Sequence, residues 1–277
     1  MSAGGPALEG TRAAAGSPRA WPERVCRRLS EYYTRYYRDT LRIPDWPALV
    51  EARLAEETHE AMRLDRLEAA LGLAVTGLSV LNVGCGTGGF TVMARRAGAA
   101  AVGVDTEPEA VEICRLKAEA EGGGVAILAA AEHLPFSAEA FDLVYCFSTL
   151  EHVADVAATV REMVRVVRPG GALYLHAPNA LGCYEGHYKL FWLPRMPRAL
   201  ARWYLRLRGR PPGFVDTLTP LLRGRLERLL RDAGARIAPL PAAGTLPRES
   251  GSPLWPVIRA YYRLFRISPH IEILARK

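Results

Sequence analysis

Three observations predict an α/β fold built on a doubly wound, mostly parallel sheet. Between Leu78 and Asn179, short apolar runs alternate with stretches of helical period. That alternation is the pattern of strand–helix–strand units with right-handed crossovers and a sheet covered on both faces. The first apolar run ends in Val83-Gly84-Cys85-Gly86-Thr87-Gly88-Gly89, and the second ends in an acid, Asp105. Sheets of this kind take ligands at the carboxyl ends of their strands, where the strand order reverses.

Taken in order, residues 1–20 are rich in Ala, Gly and Pro and lack an apolar core followed by a cleavage site. They read as a disordered tail rather than a signal peptide. Residues 21–73 read as helical. One helix carries Val25, Leu29, Tyr32, Tyr33 and Tyr36. After the break at Ile43-Pro44-Asp45-Trp46-Pro47, a second carries Leu49, Leu54, Met62, Leu67 and Leu71. The core, 74–179, has strands expected at 78–83, 101–105, 125–129, 141–147 and 172–177. Its helices are expected at 89–97, 108–121 and 156–167. An interruption, 180–215, precedes a helix at 218–233 and a strand at 235–240. A link bearing Pro and Gly, a basic helix at 255–265 and a strand at 271–275 close the chain. Residues 21–277 thus form one domain, with no internal repeat.

The bulk numbers fit that organisation. The chain has 277 residues, of which 49% are hydrophobic and 23% charged, enough for one large domain with a sizeable core. A net charge of +7 and a pI near 9.3 favour anionic partners without choosing among phosphorylated substrates, membrane surfaces and nucleic acid. Five scattered cysteines form no C-x-x-C pair, which argues against a disulfide framework or zinc site and suits a reducing cytoplasm. No apolar run is long enough to span a membrane.

The glycine-rich turn is the strongest signal. Glycine lets a ligand approach the backbone closely, and the amides opening the next helix bind a carboxylate or phosphate. Dinucleotide enzymes share such turns, but the spacing here is G-x-G-x-G rather than G-x-G-x-x-G. Asp105 suits ribose hydroxyls at that distance. It also suits the start of a helix at Asp105-Thr106-Glu107-Pro108, and both readings stand.

Ordered segments extend the signal. Val80 to Gly88 resembles the cofactor motif of the class I S-adenosylmethionine methyltransferases, and Val102-Gly103-Val104-Asp105 resembles their second strand with its acidic end. Ala131-Glu132-His133-Leu134-Pro135-Phe136 resembles the adenine-binding segment, and Phe141-Asp142-Leu143-Val144 the fourth strand. Leu150-Glu151-His152-Val153 and Val167-Arg168-Pro169-Gly170-Gly171 complete a set similar to the ubiquinone and menaquinone methyltransferase subgroup, also termed methyltransferase type 11. The resemblance covers about 78–179. It implies a Rossmann-like, seven-stranded sheet whose last strand is antiparallel, with N-terminal helices and a helical insertion after the fifth strand.

It also implies S-adenosylmethionine as cofactor. Gly84, Gly86 and Gly88 would line its methionine end, Asp105 would hold the ribose, Thr106 would lie beside the adenine, and the amide of Ala131 would meet the adenine edge. Asn82, Cys85 and Phe147 belong to the same set. Many relatives place an Asp just before this alanine, where this chain has Ala130. Adenine recognition then rests on backbone groups or on Glu132, which reads equally as a solvated loop acid.

Methyl transfer from a sulfonium is an in-line displacement that needs proximity, alignment and a base for an acceptor of high pKa. His152, close after the fourth strand, is the base candidate, the other reading being a packed histidine before the helix at Asp155. Some quinone-pathway relatives hold a divalent metal through two acids and a histidine in this segment. Glu151 and His152 stand here, but position 148 is serine, so no metal is expected. The 180–215 insertion mixes Tyr184, His187, Tyr188 and Trp192, the substrate candidates, with many arginines and one acid, Glu185. With the basic aromatic stretch at 255–266, it suits a cover over a small-molecule acceptor and peripheral contact with an anionic membrane. No nucleic-acid reader motif accompanies it.

The function expected is a small-molecule methyltransferase acting on oxygen in a glycan, lipid-linked or quinone-like acceptor. Carbon or nitrogen methylation of a natural-product intermediate is the alternative. A cofactor-binding protein without catalysis and a nicotinamide oxidoreductase are the readings from other classes.

Overall fold

The computed structural model describes residues 21–120, 123, 125–240 and 254–277. The tail at 1–20, most of the link before the last helix and the end of the 108–121 helix lie outside the described residues. The sheet has seven strands: β1 (Ser79–Val83), β2 (Ala100–Asp105), β3 (Val125–Leu128), β4 (Phe141–Phe147), β5 (Val167–Pro178), β8 (Arg236–Ala238) and β9 (His270–Arg276). Their order is β3-β2-β1-β4-β5-β9-β8. Pairings from β3 through β5 are parallel, and β9 runs antiparallel to both β5 and β8. The expected seven strands with an antiparallel last strand are therefore present.

Helices α4 (Gly89–Arg96), α5 (Pro108–Ala120) and α6 (Val156–Val166) cover the sheet between its parallel strands. The strands read clearly in sequence because both faces are buried: Val80, Leu81, Val83, Leu143, Val144 and Cys146 are all in the core. Asp155 caps α6, accepting the amides of Ala157 at 2.8 Å and Ala158 at 3.0 Å.

Three expectations shift. The second N-terminal helix is two, α2 (Trp46–Leu54) and α3 (Glu56–Leu71), interrupted at Ala55. Within α3 the helical turn puts Met62, expected in the core, on the side away from Leu67 and Leu71, so it is exposed while Leu64, Leu67 and Leu71 are buried. The preceding helix, α1 (Glu23–Thr34), runs on as a wider π-turn over Arg35–Thr40. Third, the helix expected from 218 begins only at Arg223, as α8 (Arg223–Asp232). Pro220 disfavours a helical Thr219, and the Thr219 amide instead reaches the Glu151 carbonyl at 2.7 Å.

The 180–215 insertion contains a short hairpin, β6 (Tyr184–Glu185) and β7 (Leu190–Phe191), and helix α7 (Arg198–Leu207). A single 3-10 turn over Gly213–Thr217 follows. Helix α9 (Trp255–Leu264) precedes β9. α1, the hairpin and α7 share one apolar cluster, which includes Leu29, Tyr33, Tyr188, Leu190 and Leu205. The N-terminal helices and the insertion thus close over the carboxyl ends of the strands as one cover.

Candidate active site

The strand order reverses between β1 and β4, the crevice where open sheets bind ligands. A cavity of about 990 Å³ opens there. Asn82 and the glycine-loop residues Gly84, Cys85 and Gly86 line it together with Phe147, Ser148, His176, Tyr184, His187, Trp255 and Tyr262.

The glycine loop is built by contact as well as by dihedral. Gly84 has φ +72°, and a Cβ there would lie 2.1 Å from Thr149 Oγ1. Gly88 has φ +86°, and its Cβ would lie 2.2 Å from Cys114 Sγ in α5. Both positions therefore require glycine on two counts. Asn82 is buried and donates to Thr91 at 3.0 Å, tying the strand end to α4. Asp105 accepts the Gly86 amide at 2.8 Å and the Glu107 amide at 3.0 Å. The carboxylate thus braces the loop and starts α5 together, and its remaining lone pairs face neither amide.

The adenine-side candidates sit apart from the cavity wall. Thr106 is exposed just past β2, and Ala131 is buried beyond β3. Glu132 accepts the amides of Ala154 at 2.8 Å and Asp155 at 3.3 Å. Through Oε1 it anchors the segment that leads into α6.

Sequence reasoning missed the contribution of α2 and α3. Arg53, Glu56, Glu60 and Arg63 line the cavity beside the glycine loop. Their signal was charge at three- and four-residue spacing on helices that must face the core. Glu56 pairs with Lys117, which is wholly buried in α5, and Glu57 pairs with Arg96 at 2.9 Å. Tyr33 meets the Thr87 hydroxyl at 3.1 Å, so α1 touches the loop directly. Arg63 lies 4.1 Å from the Phe147 ring centroid, and His176 stacks on the same ring at 3.9 Å. His270 then stacks on His176 at 5.0 Å. Phe147 thus packs against both, and burial, with added repulsion from His270 and the nearby arginines, pushes the His176 pKa down to about 3.

Two substrate candidates are displaced. Tyr188 is fully buried, and its hydroxyl donates to the Pro211 carbonyl at 2.7 Å. Trp192 packs in the cover against Tyr204, with ring centroids 6.1 Å apart. Neither reaches the cavity, whereas Tyr184 and His187 do. Trp255 and Tyr262 of α9 line the cavity as well. The Trp255 indole N–H is buried without a partner among the described residues.

His152, the base candidate, is also absent from the cavity wall. Its Nε2 lies 3.2 Å from His187 Nε2. Burial, reinforced by His187, pushes its pKa down to about 4. The neighbouring Glu151 does line the cavity, and burial pushes its pKa up to about 7. Ser148, just before this turn, has φ +52°, a left-handed residue where the chain leaves β4. His187 reaches the corner from the β6–β7 turn, with its Nδ1 held by Glu185 Oε1 at 2.7 Å.

Comparison with known proteins agrees with this architecture. Residues 81–175 match the methyltransferase domain family. A ubiquinone biosynthesis O-methyltransferase of Rhizobium rhizogenes is 37% identical over 126 residues, covering 43% of this chain and 51% of that protein. The chain thus spans about half the length of several curated relatives it matches. An enzyme of the same name from Aromatoleum aromaticum is 32% identical over 181 residues, 65% of this chain and 72% of the relative. In fold, magnesium protoporphyrin IX methyltransferase of Synechocystis PCC 6803, solved with bound S-adenosylhomocysteine, superimposes with TM-score 0.52 at 16% identity. That likeness covers 81% of this chain and 84% of the other. A glycine loop braced by the acid of the next strand, on this strand order and with a relative matched over most of its length, places the chain in the class I S-adenosylmethionine-dependent methyltransferases, with S-adenosylmethionine as cofactor.

Proposed function

We propose that this protein transfers the methyl group of S-adenosylmethionine to a hydroxyl oxygen of a flat, phenol-like acceptor carrying a lipid tail. The observation that carries the reading is the continuity of the cavity from the glycine loop to an aromatic chamber. A donor bound at the loop and a ring bound in the chamber share one enclosure, which is the proximity an in-line displacement needs. Tyr184, Phe191, Trp255 and Tyr262 supply apolar walls. The names of the relatives, enzymes of ubiquinone biosynthesis acting on oxygen, support the same acceptor class.

The surface around the chamber supports a lipid tail. Leu200, Trp203 and Leu207 of α7 are exposed, as are Leu254, Val257, Leu264 and Phe265 at α9. Arg206 and Arg208 accompany the first group, and Arg259, Arg263 and Arg266 the second; all five are exposed. Adjacent residues of the hairpin join the two helices, Trp192 packing toward α7 and Phe191 toward α9, with Leu193 exposed beside them. Apolar side chains amid arginines suit the plane of an anionic bilayer. Among the described residues no helix is long and apolar enough to cross a membrane, so this contact is peripheral.

The test is incubation with methyl-labelled cofactor and a panel of catechols and phenols, with and without isoprenoid tails. The expected product carries the label on oxygen, formed faster from tailed acceptors. Label on carbon or nitrogen, or turnover of hydrophilic glycans alone, would replace this reading.

A further inference from the structure

Glu151 is about 2% exposed, yet neither of its carboxylate oxygens has a hydrogen-bond partner among the described residues. A buried carboxylate without partners is costly and calls for a counter-charge or ligand. Two imidazoles face it. His152 Nε2 lies 4.0 Å from Glu151 Oε1, and His187 Nε2 lies 3.2 Å from His152 Nε2. The donor atoms of the three residues all fall within 4.8 Å of one another, the one such group among the described residues. A tetrahedral cation with bonds of about 2.1 Å spaces its donors about 3.4 Å apart, so small side-chain rotations close this triad on an ion.

The surroundings are those of a metal site. Glu185 Oε1 is 2.7 Å from His187 Nδ1, which fixes the proton on Nδ1 and leaves the Nε2 lone pair directed at His152 and Glu151. The other Glu185 oxygen accepts the Tyr188 amide at 2.6 Å, anchoring the outer carboxylate in turn. Glu151 and His187 both line the cavity, so an ion between them borders the chamber that takes the acceptor.

From this geometry we propose that Glu151, His152 and His187 bind a divalent transition-metal ion, with Glu185 orienting His187. The proposal reverses the expectation drawn from Ser148, because the third donor comes not from that segment but from the insertion 35 residues later. It also changes the class of ion. Two imidazoles and one carboxylate suit Zn²⁺, Co²⁺ or Fe²⁺, whereas the two-acid set of the quinone-pathway relatives favours harder cations. A bound ion supplies Lewis-acid polarisation of an acceptor hydroxyl.

The experiment uses tag-free, chelator-treated protein titrated with Co²⁺ and followed by visible absorption, then displaced by Zn²⁺ and challenged with Mg²⁺. The expected result is one Co²⁺ per chain with nitrogen–oxygen ligand-field bands, displaced by Zn²⁺ and untouched by millimolar Mg²⁺. His187→Ala should weaken Co²⁺ binding at least tenfold, and Glu185→Gln, which keeps the fold's packing, about tenfold or more. S-adenosylhomocysteine binding by calorimetry should be unchanged in both, which separates this proposal from the cofactor assignment. No Co²⁺ binding, or binding unaffected by both substitutions, overturns the proposal. Displacement of Co²⁺ by Mg²⁺ overturns the selectivity it asserts.

Discussion

The carboxylate of Asp105 accepts the backbone amide of Gly86 at 2.8 Å, across 19 residues of sequence. One side chain thereby holds the glycine loop in shape and keeps acceptor capacity in reserve. Asp105→Ala is expected to weaken S-adenosylhomocysteine binding by about 10- to 100-fold, the range for a charged hydrogen bond. Asp105→Asn, which still accepts the Gly86 amide, should lose less. Calorimetry decides, and binding within twofold of the parent in the alanine variant would remove Asp105 from the cofactor site.

Gly88→Ala tests the loop from the other side. The new methyl meets Cys114 at 2.2 Å in a residue with φ +86°. Left-handed strain and overpacking together predict a loss of about 2–5 kcal/mol in stability. Cys114→Ala in the same chain should recover part of this, since it relieves the nearest contact but not the dihedral. Denaturant unfolding of the single and double variants measures both parts.

Lys117 and Glu56 form a buried pair between α5 and α3, with side chains 0% and 4% exposed. Lys117→Met leaves a buried carboxylate beside the cofactor cavity and should cost about 3–5 kcal/mol. Adding Glu56→Gln should restore much of the stability. If the single variant unfolds at the parent's denaturant midpoint, the pair does not fasten the N-terminal helices to the core.

Trp203 and Leu207 are 59% and 68% exposed on α7. The double variant Trp203→Glu/Leu207→Glu should melt within a degree or two of the parent, since surface substitutions change stability by about 0.5 kcal/mol or less. Its co-sedimentation with anionic vesicles should fall at least fivefold. Equal sedimentation of parent and variant would take α7 out of the proposed membrane contact.

Much of the scaffold was legible because its signals are local. Strand β4 lies where its apolar run predicts, at Phe141–Phe147, and α6 ends one residue early. Errors arose where a local rule met a tertiary one. The run at 172–177 extends back to Val167 because the residues before it pair beside Phe141 across a register shift. Met62 kept its spacing from Leu54, but within α3 it stands on the side opposite Leu71 and is exposed. Tyr184 and Tyr188 looked alike in an aromatic, basic stretch, yet the hairpin turns one toward the cavity and buries the other.

The sequence alone determined the doubly wound sheet, the glycine loop with Asp105 and, from these with the ordered downstream segments, the methyl donor. These depend on contiguous residues, on hydrophobic period, on dihedrals open only to glycine and on the short reach between neighbouring strands. The tertiary structure decided what stands opposite the donor. It placed His187 beside His152 and Glu151, brought Trp255 and Tyr262 into the cavity wall, withdrew Tyr188 into the core and set Glu56 against Lys117. Each is a contact between segments remote in the chain, and such contacts are chosen by the packing of whole elements rather than by any spacing along the sequence.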